Sequence, residues 1–432
     1  MHGRASLSPT TSCLPTELDA LAERVLRQNW REGLRGDGTP YGYTCPSPRR
    51  YKHQWHWDSC LTAIAWTRFD PSRARDELRT IVRSGRADGF LPHTAFWGAR
   101  PRWRRAPLYA TQRITGNTCT ATIGPPLLAF AWERVARASP EDPSFATEAL
   151  AELAAHHDWL ERERDPDDDG LIAILLPDES GLDDSPKYDS VYGPRAHNKP
   201  GYFALVERGR RARWDSRAML ARYDEQVEDV LVNVANALSL RALGALSGDP
   251  EWTRRERRVV TALLERCLDE RTGLFLDLAG RAERPVRVST WSSLAPLALA
   301  RAIPEDVRRR LIEEHLLHPR RYRAPFGIPS TAIEEPAFRP GWTWFKTWRG
   351  ASWINAAWLL VPTLDELGYR SDADRIVSSL VTAVQRHGLR EYYNALTGRG
   401  GGARDFSWSA LIAMLADGRE ITPPIPQLRP HR

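Results

Sequence analysis

The sequence predicts an all-α fold, an (α/α)6 barrel with long loops at one end, on three observations. First, apolar periodicity with helix start and stop signals marks about twelve helical segments and almost no alternating strand pattern. They span 16–30, 57–70, 71–85, 123–139, 144–164, 224–247, 249–268, 288–302, 304–317, 350–368, 371–387 and 405–417. Their character alternates. DPEWTRRERRVVTALLERCLD and SDADRIVSSLVTAVQRHG carry a charged face and belong against solvent, whereas WDSCLTAIAW, GASWINAAWLLVP and FSWSALIAML are apolar nearly all round and belong inside. Second, the connection from each apolar helix to the next amphipathic one is about four residues or fewer, with turn chemistry such as SGDP and LGYRSD, while the return connections run to roughly 17–59 residues. Antiparallel hairpins then send every long loop to the same end. Third, Asp169-Gly-Leu-Ile, Thr272-Gly-Leu-Phe and Leu396-Thr-Gly each follow an amphipathic helix, a weak internal echo. A generic helical solenoid is the competing architecture.

The 432 residues are expected to form one domain over 16–420, with residues 1–15 and the Pro-rich tail 421–432 poorly ordered. A hydrophobic share of 42% with 27% charge excludes disordered and collagen-like classes. The absence of an eighteen-residue apolar run and of a signal-peptide core favours a cytoplasmic protein without membrane contact. Cys13, Cys45, Cys60, Cys119 and Cys267 are scattered, which argues for reduced thiols rather than disulfides or a zinc site. The net charge of +6 is spread along the chain in arginine, so no nucleic-acid partner is expected.

The long loops collect tryptophans, carboxylates and few cations. They hold Tyr51-Lys-His-Gln-Trp55-His-Trp57-Asp58, Leu91-Pro-His93 through Trp97, Asp178-Glu-Ser-Gly181-Leu-Asp183-Asp184, Trp342-Thr-Trp344-Phe-Lys-Thr-Trp348, and Arg390-Glu391-Tyr-Tyr-Asn394. Aromatic faces stack on sugar C–H faces, carboxylates bond hydroxyl groups, and a pair of carboxyls can break a glycosidic bond. A small carbohydrate is therefore the expected partner. The plainer reading is that Trp55, Trp57 and Trp348 plug the top of a helical barrel.

QWHWDSC, DGFLPH, RDPDDDGLI, ESGLDDSPKYD, VEDVLVN, FGIPS with EEPAF, WRGASWIN and EYYNALTG with FSWSALI occur in this order from Tyr51 to Leu415. The set resembles the bacterial branch of glycoside hydrolase family 63, nearest to mannosylglycerate and glucosylglycerate hydrolases. The resemblance implies an (α/α)6 barrel and an inverting mechanism, with Asp183 as general acid and Glu391 as general base. It puts sugar contacts on Tyr51, Trp55, Trp57, Asp58, Gly181, Trp348 and Trp353, and implies no metal or cofactor. Two positions depart from the glycerate-releasing members: Asp178 stands where they have Trp, and Gly124 in Ile123-Gly-Pro-Pro where they have Gln.

Inversion needs one protonated and one ionised carboxyl about 6.5–9.5 Å apart. Asp184 and Glu179 near Asp183, together with partial burial, are expected to raise its pKa, and Arg390, Tyr392 and Tyr393 to keep Glu391 ionised. Asp58 could equally cap its helix. Asp165-Pro-Asp167-Asp-Asp169-Gly170 imitates the start of an EF-hand, but Leu176 takes the glutamate position, so a turn is favoured over a calcium loop. His53, His56 and His93 show no metal-ligand spacing. Gly398–Gly402 reads as a flexible hairpin beside Glu391. Arg208–Arg213 with Trp214 reads as a solvated run, or as a lid gripping an anionic aglycone. The expected function is an exo-acting inverting α-glycosidase on a small α-glucoside or mannoside, with a neutral glycoside preferred because Asp178 would repel an anionic aglycone. The alternatives are a non-catalytic carbohydrate binder and another (α/α)6 sugar enzyme such as an epimerase.

Overall fold

In the computed structural model, residues 15–98, 118–193, 199–341 and 347–419 are described. The expectations for both chain ends, Cys13, Trp342 and Trp344 lie outside them. Six inner helical segments form a ring: His56–Trp66, Leu128–Arg137, Val230–Ser247, Trp291–Ala302, Ile354–Glu366, and Ser407–Ala410 running into Leu411–Ala416. Each packs on the next, and the sixth packs back on the first, which closes the barrel. All eleven residues of His56–Trp66 are buried, as an all-apolar helix demands. The outer helices are Pro15–Asn29, Pro71–Arg83, Leu150–Arg164, Pro250–Ala262, Glu305–Arg310 and Arg370–His387. Their charged faces are braced by ion pairs such as Arg79 to Glu148 and Arg255 to Glu161.

The short turns work as their sequences predict. Asp70 caps Pro71–Arg83, Asp249 caps Pro250–Ala262 with Pro250 at the first position, and Gly248 ends Val230–Ser247 in the left-handed region. Gly170, Gly273 and Gly398, the glycines of the internal echo, all have positive φ.

Several boundaries differ from expectation. The helix read from 144 starts at Leu150, because Pro143–Ala146 forms a separate turn whose Phe145 stacks on Trp132 with ring centres 4.3 Å apart. The helix read from 224 starts at Val230, since Val227–Glu228 pairs into a sheet and Asp229 takes the N-cap. Trp291–Ala302 winds in 3-10 turns around Pro296, which cannot donate an i→i−4 bond, and kinks at Ala300, whose φ is +49°. The third long loop holds two unexpected helices, Lys199–Arg211 and Ser216–Arg222.

The long connections, 30–55, 84–127, 165–229, 268–290, 317–353 and 388–406, are stitched to one another in sequence. Gln54 pairs with Ala95, Ile123 N–H donates to Glu179 at 3.0 Å, and Val227 pairs with Ala279. Thr290 bridges Thr331, Ala351 pairs with Asn394, and Ser47 Oγ donates to the Arg404 carbonyl at 2.9 Å. All six therefore share one end of the barrel. Their strands are two to five residues long, too short for an alternating pattern to show in the sequence.

Candidate active site

Glu391 sits in the strand Arg390–Asn394, the centre of a three-stranded antiparallel sheet between Ala351–Ser352 and Gly400–Arg404. Its Oε2 accepts the Ala403 N–H at 2.6 Å, its Oε1 accepts the Tyr51 hydroxyl at 3.0 Å, and the Arg50 guanidinium lies 3.8 Å away. The glycine-rich partner strand is required here. Gly402 has φ +64°, and a Cβ on it would come within 2.3 Å of Glu391 Oε2. Burial raises the Glu391 pKa; the Ala403 N–H, Arg50 and Tyr51 oppose the rise and Asp183 adds to it.

Asp183 enters from the third loop. Burial among protein atoms raises its carboxyl, opposed by its own backbone N–H and by Arg50, although water still reaches the side chain from the mouth. Asp58 lies across from both: burial pushes its pKa well above the usual carboxylate range, and Glu391 and Asp183 push it further. Trp55 at the N-cap offers no side-chain bond, and Asp58 in the first turn accepts its own backbone N–H, so its carboxyl also serves the start of the helix. The three carboxyls are electrostatically linked: Glu391 and Asp183 push Asp58 up, Asp183 pushes Glu391 up, and Arg50 opposes the rise at Asp183 and Glu391.

The backbone around Asp183 is held by buried charge. Glu179 is fully enclosed, chelated by Arg164 at 2.8 and 2.9 Å and by the N–H groups of Ile123 and Leu175. Lys187, also fully enclosed, lies 2.6 Å from Asp229 and 3.1 Å from Asp277 and donates to Ser292. Asp184 accepts the Thr347 and Trp348 N–H groups, and Arg349 grips Asp189 with two bonds, which clamps the fifth loop to the third.

Trp57, Trp348 and Trp353 form the floor with Trp408. The Trp348 and Trp353 rings stack 3.6 Å apart, and Trp57 meets Trp408 edge-on at 5.1 Å. Trp57, Trp348 and Trp353 are at most 3% exposed, so the plug of the plainer reading fits Trp57 and Trp348 but not the half-buried Trp55. Gly181, at φ +73°, rests on the Trp57 ring, where a Cβ would clash at 2.4 Å. Tyr51 and Trp55 meet edge-on at the rim and keep accessible surface.

Three expectations need correction. Burial, not Asp184 or Glu179, raises Asp183, because Glu179 is neutralised by Arg164. Arg390 turns away from Glu391 to the Gly401 and Gly402 carbonyls, and the Tyr393 hydroxyl donates to Gly388. Trp97 packs in a side cluster with Tyr41, Tyr43 and Cys45 and donates to Gln54. The favoured reading of Arg208–Arg213 as a solvated run agrees with the structure: Arg208 pairs with Glu225, and Arg210 and Arg211 pair with Glu207 on the surface.

The two departures fall together. Asp178 is buried with its carboxyl pushed up to about 7, mainly by burial, and its Oδ2 lies 3.9 Å from His93 Nδ1. A Cβ at Gly124 would press on His93 and His56, both held neutral by burial.

Residues 51–409 match the family model of the mannosylglycerate hydrolase MGH1-like glycoside hydrolase domain. The chain belongs to glycoside hydrolase family 63. This glycoside hydrolase is 30% identical to the mannosylglycerate hydrolase of Rubrobacter radiotolerans over 92% of its own length and 96% of the relative's. It is 28% identical to the glucosylglycerate hydrolase of Mycolicibacterium hassiacum, covering 93% and 98%. Among solved structures, the family 63 mannosylglycerate hydrolase of Thermus thermophilus in complex with Tris and D-glycerate superposes with a TM-score of 0.79 at 28% identity, covering 92% and 99%. Sequence reasoning missed four parts of the glycoside hydrolase's mouth: Arg50, Trp408, the Asp184 clamp and the Lys187 cluster. Each had a local signal: Arg50 stands directly before Tyr51, Asp184 and Lys187 lie inside ESGLDDSPKYD, and Trp408 lies inside FSWSALI.

Proposed function

We propose that this glycoside hydrolase is an exo-acting, inverting α-glycosidase of small glycosides, with Asp183 as general acid and Glu391 as general base. The contrast between the two carboxyls carries the reading. Glu391 receives a backbone N–H and a tyrosine hydroxyl, which favour the ionised form, whereas no described side chain donates to Asp183. Protonated Asp183 would pass its proton to the glycosidic oxygen while Glu391 takes one from the attacking water. Asp58 and the rim aromatics Tyr51 and Trp55 would hold the sugar hydroxyls and face. Following the reaction by proton NMR with a panel of α-glucosides and α-mannosides tests this: the first product is expected to be the β anomer, and Asp183→Asn and Glu391→Ala should abolish release. An α anomer as first product, or turnover surviving both substitutions, overturns the reading.

For specificity we favour a neutral aglycone. Asp178 puts a carboxyl beside His93, and Arg208, Arg210 and Arg211 are committed to glutamates. The names of the relatives favour a glycosylglycerate instead. The ratio of kcat/KM for a neutral α-glucoside over glucosylglycerate decides between them. A preference for the charged substrate of more than about tenfold, roughly 1.4 kcal/mol, overturns the neutral assignment.

A further inference from the structure

Asp167 and Asp169 open the connection 165–229, Glu228 closes it and Glu283 belongs to the connection 268–290, yet one carboxylate oxygen of each lies within 4.8 Å of all the others. Asp167 and Asp169 follow the outer helix Leu150–Arg164, Glu228 ends a strand of the four-stranded sheet, and Glu283 sits in the hairpin turn between Leu278–Ala279 and Arg284–Pro285. That spacing suits a shared ion. Calcium binds oxygens at about 2.3–2.6 Å, so two ligands on opposite sides of it are about 4.6–5.2 Å apart. Glu228 is the independent observation: its side chain is more than nine-tenths buried, and its enclosed Oε2 has no hydrogen-bond partner.

We propose that these four carboxylates form a calcium site that braces the loop carrying Asp183. The nearby Arg266 pairs with Asp169 at 2.9 Å and also with Glu283, but one guanidinium cannot balance four carboxylates. With no cation among them the four carboxylates repel one another, Glu228 most of all because it is buried. Four hard oxygen donors in irregular positions suit calcium better than magnesium, which demands near-octahedral geometry, or zinc, which favours nitrogen and sulfur. The EF-hand comparison failed because it sought the remaining ligands in the local sequence. They arrive instead from residues 228 and 283, brought over by the sheet.

The location defines the role. Glu228 is followed by Asp229, which binds Lys187 and the Tyr188 hydroxyl, and Asp169 leads into the strand Ala173–Ile174 before Asp183. An ion here would tie the ends of that loop without touching substrate. The test uses full-length protein stripped with EDTA and titrated calorimetrically with calcium chloride, then with magnesium chloride, alongside thermal melts. One calcium per chain is expected, with a Tm rise of about 5 °C at saturation and a weaker response to magnesium. Glu228→Gln should melt in EDTA no lower than the parent and gain nothing from calcium. The exposed Asp167→Asn, expected to fold normally, should lose at least tenfold in calcium affinity. No calcium binding by the parent, an equal response to magnesium, or an unchanged calcium response in either variant overturns the proposal.

Discussion

The two arms that bring Asp183 and Glu391 to the mouth are fastened by different physics. The Asp183 arm is held by side-chain charges with no water around them: Arg164 on Glu179, and Lys187 between Asp229 and Asp277. The Glu391 arm is held by backbone, as the middle strand of a small sheet whose glycines let the neighbouring strand lie against the carboxylate. A buried ion pair is costly to break because the surviving partner stays charged without solvent. A backbone ladder tolerates side-chain changes, but not a side chain where none fits. One arm is therefore vulnerable in stability, the other in geometry.

Four substitutions probe that contrast, from the largest expected effect to the smallest. Glu391→Gln should lower kcat about 10⁴-fold with an unchanged urea midpoint, since general base catalysis goes while the ladder stays. A large fall in stability instead would mean the Glu391 arm also depends on its charge. Lys187→Met leaves Asp229 and Asp277 enclosed without their cation and should cost about 3–5 kcal/mol in urea unfolding. A loss under about 1 kcal/mol would show that the cluster is not what fastens the Asp183 arm. Gly402→Ala should lower kcat about 100-fold, because the new methyl displaces Glu391, with a comparatively small change in Tm. Equal damage to fold and turnover would remove the distinction between the arms. Tyr51→Phe deletes a donor that favours ionised Glu391, so the pKa of the base rises. The acidic limb of kcat/KM should accordingly move to higher pH, with about a tenfold loss near that limb. A limb that stays in place would mean Tyr51 does not tune Glu391.

How far each region could be read from sequence follows the same division. The inner ring was legible because an all-apolar helix has few places to go, and the turns because Asp, Pro and Gly act within two or three residues. The start of the helix at Leu150 was not, since it depends on Phe145 finding Trp132. Nor was Trp291–Ala302 as a 3-10 helix, although Pro296 was a local hint. Asp183 and Glu391 were singled out by the family motifs around them. Their surroundings were misread, because Glu179 is partnered by Arg164 and Glu391 by Tyr51 and Ala403, contacts that sequence neighbours do not reveal. Partners separated by 340 positions, as Tyr51 and Glu391 are, meet only after the ring has closed.

The stitching of each long loop to the next makes the mouth a closed hoop, and its consequence concerns chain order. The first outer helix, Pro15–Asn29, packs on Leu411–Ala416, so the first and last helical segments among the described residues adjoin. The short turn between Ser247 and Pro250 is at the opposite end from the hoop. Joining the old ends through a linker and opening the chain at that turn would cut none of the loop-to-loop bonds. The barrel is thus suited to circular permutation, since the ring of loops stays whole wherever the short-turn end is opened.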